Sequence, residues 1–347
     1  MDRYVRLAVI GTGRIGKLHV ENIVCSIPQA KLIGVADIDH ASATEVAGRF
    51  GIPLAVADYG ELLNKPELEA IVICSATNTH AQIIQDASQA GKHIFCEKPI
   101  DFDLSRIDQT LAMVADAGVK LQIGFQRRFD TNFRRLKESM AEGLIGTPHL
   151  LRITSRDPAP PPISYIRVSG GIFLDMMIHD FDMARFLINS KIEEVYATGS
   201  VMIDPAIGQA GDIDTALVTL KFANGVIGTI DNSRQAVYGY DQRVEVFGNQ
   251  GMLQVGNCQT DTVTLSNDNA IQRTLPPFFF LERYQQAYQS ELQAFIDAIL
   301  EDTSPRVTGE DGRAPVVIGL TAQRSLVENR PIRLDEIETD VCKEINR

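Results

Sequence analysis

Three short stretches of this chain carry residue types at spacings that can do chemistry. Gly11-Thr12-Gly13-Arg14-Ile15-Gly16 follows the β-rich run Val5–Ile10 directly. A strand that breaks into GxGxxG and passes into a helix is the dinucleotide-binding pattern. The first glycine permits the tight turn, the second lets the main chain approach a pyrophosphate, and the third lets helix and sheet lie close. Asp37, twenty-one residues after Gly16, closes the run KLIGVADI, where a carboxylate accepts from ribose hydroxyls. It would repel a 2′-phosphate, and Ile38 supplies no cation to offset that, so the pattern favours NAD over NADP. Glu97-Lys98-Pro99 ends the strand-like run HIFC, where a lysine would set a cation near a reacting oxygen, with an ordinary surface lysine as the plain alternative. Asp175 and His179 are four residues apart. On one helix they would share a face about a turn apart, the acid orienting the imidazole and raising its basicity. Such a histidine can remove a hydroxyl proton while hydride leaves the same carbon; a local ion pair is the plain alternative.

The elements that must hold these residues follow from the periodicity. After Asp37, ASATEVAGRFG reads as a helix with a C-terminal glycine, Leu54–Val56 as a short strand, and YGELLNKPEL as a further helical piece. AIVICSAT is a buried strand of parallel-sheet type, and Ser75, Ala76, Thr77, Asn78 and His80 lie at its carboxyl end, the edge where open α/β sheets bind ligands. KHIFCEK and KLQIGFQ complete a Rossmann domain over 1–125, with Gln126 at the last strand end. His80 and Gln126 could equally be satisfied by main chain. Residues 126–347 then form an α+β domain: a basic amphipathic helix through QRRFDTNFRRLKESMAEGLIG, stopped at Gly146-Thr147-Pro148, a stiff Pro-rich loop at DPAPPP, and β-rich runs from EEVYATGSVMI to TVTLS. These runs predict a large, mainly antiparallel open sheet, with Asn224-Gly225 and Asn249-Gln250-Gly251 as turns. APVVIGLTAQRSLVEN is expected as the last helix, with the last helices able to pack back on the first domain. PPFFFL is expected in the core or a subunit interface, and the acidic tail offers no pattern.

Composition narrows the function class. The 347 residues carry 33 Lys plus Arg against 45 Asp plus Glu, a net charge of −12. A general nucleic-acid binder needs a basic footprint, so that class is disfavoured. The cysteines at 25, 74, 96, 258 and 342 form no CxxC pair and imply reduced thiols in a cytoplasmic protein. MDRYVRLAVIGTGRIG lacks signal-peptide shape, and no apolar run is long enough to span a membrane. Asp175, His179, Asp180 and Asp182 hold metal-type donors, but Asp180 and Asp182 would leave His179's helix face, so no metal is expected.

AVIGTGRIG, the acid after the second strand, CEKP at 96–99 and SGGIFLDMMIHDFDMARFL at 169–187 together resemble the glucose–fructose oxidoreductase, inositol dehydrogenase and rhizopine catabolism family over essentially the whole chain. GFQRRFD, SRDPAPPPISYI and YGYDQRVEVFG are similar to its inositol dehydrogenase branch. The resemblance implies an NAD-dependent enzyme that oxidises myo-inositol at carbon 2 to 2-keto-myo-inositol. It implies Lys98, Asp175 and His179 as the catalytic set, with His179 the base. Arg14 and Ile15 would follow the pyrophosphate, with Ser75 to Asn78, His80, Glu97 and Gln126 along the cofactor. Arg127, Asp157, Asp182 and Tyr240 would be polar walls for a ring of hydroxyls. It implies a homotetramer joined through the open sheets. The alternatives are a dehydrogenase of scyllo-inositol, D-chiro-inositol or glucose, and a non-catalytic NAD- or sugar-sensing regulator.

Overall fold

A computed structural model describes residues 3–345, with side chains described to residue 339; the thiol of Cys342 therefore lies outside the described residues. The chain divides into two compact units, residues 1–129 with 286–314, and residues 130–285 with 315–347.

The first unit alternates strand and helix: β1 (Val5–Ile10), α1 (Arg14–Ser26), β2 (Ala30–Ala36), α2 (His40–Phe50), β3 (Ala55–Val56), α3 (Gly60–Leu63), β4 (Ala70–Ile73), α4 (Thr77–Gln89), β5 (His93–Glu97), α5 (Leu104–Ala117) and β6 (Leu121–Gly124), then a 3-10 turn at Gln126–Phe129. The six strands are parallel in the order β3-β2-β1-β4-β5-β6. Strand order reverses beside β1, between β1 and β4, so the carboxyl ends of these two strands frame the switch-point crevice of a doubly wound sheet. β1 and β4 are almost wholly apolar and wholly or nearly wholly buried, because both sheet faces are covered. Helix ends follow local chemistry. Asp39 caps α2 by accepting from the Ala41 amide, and Gly51 closes it in the left-handed region at φ 67°.

The second unit contains α6 (Thr131–Ala141), β7 (Pro148–Arg156), α7 (Ile163–Ile166), α8 (Gly171–Asp175), α9 (Ile178–Ile188), β8 (Ile192–Ser200), α10 (Pro205–Gln209), β9 (Thr215–Phe222), β10 (Ile227–Ser233), β11 (Asp241–Gly248), β12 (Gly251–Val255), β13 (Thr264–Ser266) and β14 (Ile271–Arg273). α11 (Phe280–Leu300) begins here and bends at Tyr284, the one non-helical residue inside it. Its later half belongs to the first unit, where Leu292, Phe295, Ile296 and Ile299 join Val9, Val72 and Phe95 in one apolar core. α12 (Gly309–Glu328) passes from the first unit into the second at Pro315, and β15 (Ile332–Arg333) and α13 (Leu334–Ile345) complete the chain.

Seven strands form the second sheet in the order β12-β11-β7-β10-β9-β8-β15. Every neighbouring pair is antiparallel except β7 with β10, so the sheet is mainly antiparallel around one parallel pair. The Asn224-Gly225 turn has Gly225 at φ 88°. α9 lies against β7 and α6 against β12, while the opposite face keeps apolar side chains uncovered. Ile227, Leu150, Phe247 and Met252 stand in one register row across four strands, 51%, 51%, 46% and 48% exposed.

Several sequence expectations give way here. TVTLS does not extend the large sheet; β13 pairs only with β14 in a separate exposed hairpin. The basic helix ends at Ala141, well before Gly146. The acidic tail forms α13, so α12 is not the last helix. PPFFFL is not core: Phe278 is 60% exposed, and the segment runs as a strap whose Pro277 carbonyl accepts from the Tyr240 amide at 3.0 Å.

Candidate active site

The glycine loop of the first unit is shaped by close approach. Gly11 sits at φ 94°, and a Cβ there would lie 2.6 Å from the main chain of Cys74 and Ser75 at the end of β4. A Cβ on Gly16 would overlap the Gly11 carbonyl, whereas the space beside Gly13 is open. Gly13 is the N-cap of α1 with no side chain satisfying the first amides, so the helix start presents N–H groups and a positive dipole end to an anion. Arg14 is exposed and Ile15 half-buried at that start.

Asp37 follows β2 and braces the loop. Its Oδ2 accepts from the Thr12 amide at 2.6 Å and the Thr12 hydroxyl at 2.9 Å, and its Oδ1 accepts from the Asp39 amide at 2.9 Å. Burial pulls this carboxyl upward, but the Thr12 and Asp39 amides and the Thr12 hydroxyl outweigh it and hold the group below its ordinary value. A carboxylate has about four acceptor sites, so one remains for a ribose hydroxyl. An open phosphate cradle, bare helix amides and an ionised acid at the second strand end fit a dinucleotide.

The β4 edge departs from expectation in one respect. α4 starts at Thr77, so Thr77, Asn78 and His80 stand in its first turn, with Ser75 and Ala76 before it. His80 is buried, and its ring nitrogens face two carbonyls, Nδ1 to Pro99 at 2.8 Å and Nε2 to Ser75 at 3.0 Å. Burial lowers its pKa against the pull of those carbonyls, and as a neutral ring with one N–H it donates to only one of them, so His80 is a joint between two strand ends packed among main-chain groups. Glu97 ends β5 with its carboxylate 2.7 Å from His19 Nε2. Lys98 follows, half-buried, with a cis peptide to Pro99. Gln126 is buried in the 3-10 turn, its Oε1 without a hydrogen-bond partner among the described residues; Arg127 beside it is also buried.

In the second unit the expected single helix through Asp175 and His179 is broken. The Met177 amide reaches back five residues to the Ile172 carbonyl at 2.8 Å, a wider turn that ends α8 at Asp175. α9 restarts at Ile178 after Met176 and Met177, both still in the right-handed helical region, so His179 stands in the first turn of a second helix. Asp175 is oriented by other elements instead. Its Oδ1 accepts from the Tyr165 hydroxyl of α7 at 2.9 Å, and its Oδ2 accepts from Arg234 Nη1 at 3.3 Å. Arg234, directly after β10, is among the largest fully buried side chains and also donates to Asp212 at 3.3 Å. Asp212 accepts from the Ile172 amide at 3.0 Å, so one guanidinium ties the start and the end of α8. Burial and the neighbouring Asp175 charge raise the Tyr165 hydroxyl well above its usual value, which keeps it a donor.

Arg234, Tyr165 and Asp212 escaped sequence reasoning. Tyr165 lies in the SYI segment after the prolines, but nothing local marks Arg234. Of the expected polar walls, Asp182 and Tyr240 are buried and Asp157 is half-buried. Asp157 continues β7 by pairing its amide with the Ser233 carbonyl at 3.0 Å. The other acid of the discounted metal set, Asp180, accepts from Asn232 at 2.9 Å.

A parallel sheet of Rossmann order with an open phosphate loop, followed by an α+β unit carrying an oriented acid and a histidine, defines a dinucleotide-dependent oxidoreductase. Residues 5–125 match the oxidoreductase family NAD-binding Rossmann fold, and residues 133–254 match the GFO/IDH/MocA C-terminal domain. The chain belongs to the GFO/IDH/MocA oxidoreductase family. It is 47% identical to myo-inositol 2-dehydrogenase of Thermotoga maritima over 96% of this chain and 99% of that one. The structure of a putative myo-inositol dehydrogenase from Sinorhizobium meliloti is similar at a TM-score of 0.92 and 42% identity, covering 95% of this chain and 99% of that one. That of scyllo-inositol dehydrogenase from Lactobacillus casei with bound NAD(H) and scyllo-inositol is similar at 0.90 and 31%, covering 96% and 100%. Among the described residues no helix is long and apolar enough to cross a membrane.

Proposed function

We propose that this protein oxidises myo-inositol at carbon 2 to 2-keto-myo-inositol, with NAD⁺ taking the hydride and His179 acting as general base. The main support is the full-length likeness to a myo-inositol 2-dehydrogenase in a chain that carries Lys98, Asp175 and His179. Gly11, Gly13 and Gly16 with the first turn of α1 hold the pyrophosphate, and Asp37 holds the ribose. NAD⁺ when bound supplies the electrophilic nicotinamide carbon. His179 accepts the hydroxyl proton, so the carbinol loses a hydride and a proton and becomes a ketone. Lys98 stabilises the negative charge that grows on the reacting oxygen. Asp175, held by Arg234 and Tyr165, binds a substrate hydroxyl and fixes the ring. Arg127, Asp157, Asp182 and Tyr240 supply walls of the polyol pocket. NADH formation at 340 nm against myo-inositol, scyllo-inositol, D-chiro-inositol and glucose tests the reading. Preference for myo-inositol supports it, and preference for scyllo-inositol moves the chain toward the Lactobacillus casei relative.

Cofactor choice follows from Asp37. Asp37→Ser with Ile38→Arg exchanges a carboxylate for a guanidinium that can meet a 2′-phosphate. A charged hydrogen bond contributes roughly 1.5–3 kcal/mol, so the ratio of NADP to NAD efficiency is expected to rise by about 10-fold or more. An unchanged ratio would reduce Asp37 to a brace for Thr12.

The uncovered row on the second sheet is assigned to a second copy of this chain, within a homotetramer. Phe247→Lys places a charge in the middle of the row and is expected to shift the mass measured by light scattering from tetramer to smaller species. A wild-type chain that runs as a monomer would remove this assignment.

A further inference from the structure

The first unit encloses a polar cluster inside its apolar layer. His19 on α1, Glu97 at the end of β5 and Glu291 on α11 bring a ring nitrogen and two carboxylate oxygens within 4.8 Å of one another. His19 and Glu291 are wholly buried, and the rings of Phe95 and Tyr288 stand edge-on to His19 at 5.3 and 5.8 Å. Both Glu291 oxygens and His19 Nδ1 lack a hydrogen-bond partner among the described residues. Gln122 on β6 does not serve the acid, because its amide donates to the Glu291 main-chain carbonyl at 2.7 Å.

We propose that Glu291 is held as a neutral carboxylic acid and, with His19, positions the Glu97 carboxylate and so the Glu97-Lys98-Pro99 turn. The inference rests on the reading of Lys98 as the cation at the reacting oxygen. Two carboxylates this close cannot both ionise without a cation between them. Glu97 lies 2.7 Å from His19 Nε2 and is partly exposed, whereas Glu291 has neither a hydrogen-bond partner among the described residues nor solvent, and it keeps its proton. The titratable groups around Glu291 are His19 from α1, Glu97 from β5 and Cys74 after β4, with Cys96 beside Glu97. Burial raises the Cys74 and Cys96 thiols far above their usual value, so neither adds charge. Burial first, then the Glu97 charge, likewise lifts Glu291 well above the carboxylate range. On the far side, a Cβ on Gly124 would come 3.1 Å from the Glu97 carboxyl, so β6 confines that group as well.

The sign of the pH dependence follows. An acid whose folded pKa is raised is protonated in the native state and ionised in the unfolded chain above about pH 4.3, so stability falls as pH rises toward the folded value. Glu291→Gln removes that loss, and its melting temperature relative to wild type is expected to climb between pH 4.5 and 8, by on the order of 5 °C. A flat difference across that range means an ionised Glu291 and overturns the proposal, as does one metal ion per purified chain that Glu291→Gln releases. Glu291→Leu and His19→Phe are expected to lower kcat about 10-fold or more through a displaced Lys98 turn, with the Kd for NADH unchanged. Glu291→Gln should recover most of the rate that Glu291→Leu loses. Unaltered kcat in Glu291→Leu and His19→Phe would overturn the positioning role. A wild type that binds NADH yet oxidises no polyol sinks the functional reading and the Lys98 role with it, while the melting trend still decides the Glu291 proton.

Discussion

His179→Ala is expected to lower kcat by about 10²–10⁴-fold, the range for a lost acid–base group, while the Kd for NADH stays within a factor of two or so. The substitution leaves Gly11, Gly13, Gly16 and the Asp37–Thr12 brace of the nucleotide loop unaltered. Wild-type kcat should fall on the acid side as the imidazole protonates, and the variant should lose that limb. Steady-state rates across pH check both parts. A variant with near-normal turnover and an intact acid limb would assign the base elsewhere. A truncation that only raised KM would make His179 a substrate ligand, because uniform binding loss leaves kcat unchanged.

The second large effect concerns a residue that touches no expected ligand. Arg234→Leu is expected to destabilise the protein by about 3–5 kcal/mol, the scale for removing one partner of a buried ion pair. Its guanidinium is 1% exposed and serves two carboxylates, Asp175 and Asp212, which are 14% and 9% exposed. Without it both acids face each other's side of α8 with no cation between, and the Ile172 amide and Tyr165 hydroxyl cannot offset two buried charges. Urea unfolding gives the stability, and kinetics below the unfolding range give the second consequence. Asp175, released from its orientation, should bind polyol less well, so KM for the polyol rises more than KM for NAD⁺. Arg234→Lys should recover part of the stability, since an ammonium restores charge but cannot reach both acids in a fork. A loss under about 1 kcal/mol in Arg234→Leu would mean that water reaches the pair and that surface-type screening applies.

Much of the first unit was legible because its signals are local. The glycine loop, the acid at the second strand end and the glycine that ends α2 are each set by residues within a few positions of one another, and buried parallel strands announce themselves as apolar runs. Gly51 as a left-handed terminator needed only its neighbours. The mainly antiparallel second sheet was legible from alternation and turn residues, but its parallel β7–β10 pair was not, since nothing in either strand specifies a partner more than seventy residues away.

Asp175 and His179 were legible as residue types, but the break between the two helices that carry them was not. Periodicity assumes a continuous helix, whereas the Ile172 carbonyl takes a wider return bond that separates α8 from α9. What the sequence by itself determined is the dinucleotide fold, the acid Asp37 after the second strand and the presence of Lys98, Asp175 and His179. Tertiary structure alone decided which charges compensate them. Arg234 meets Asp175 across 59 residues, and Glu291 meets His19 and Glu97 although it follows Glu97 by nearly two hundred residues. A buried charge is tolerated only where the fold brings a counter-charge, a donor or a proton to it, and that pairing depends on chain crossings that no local pattern encodes.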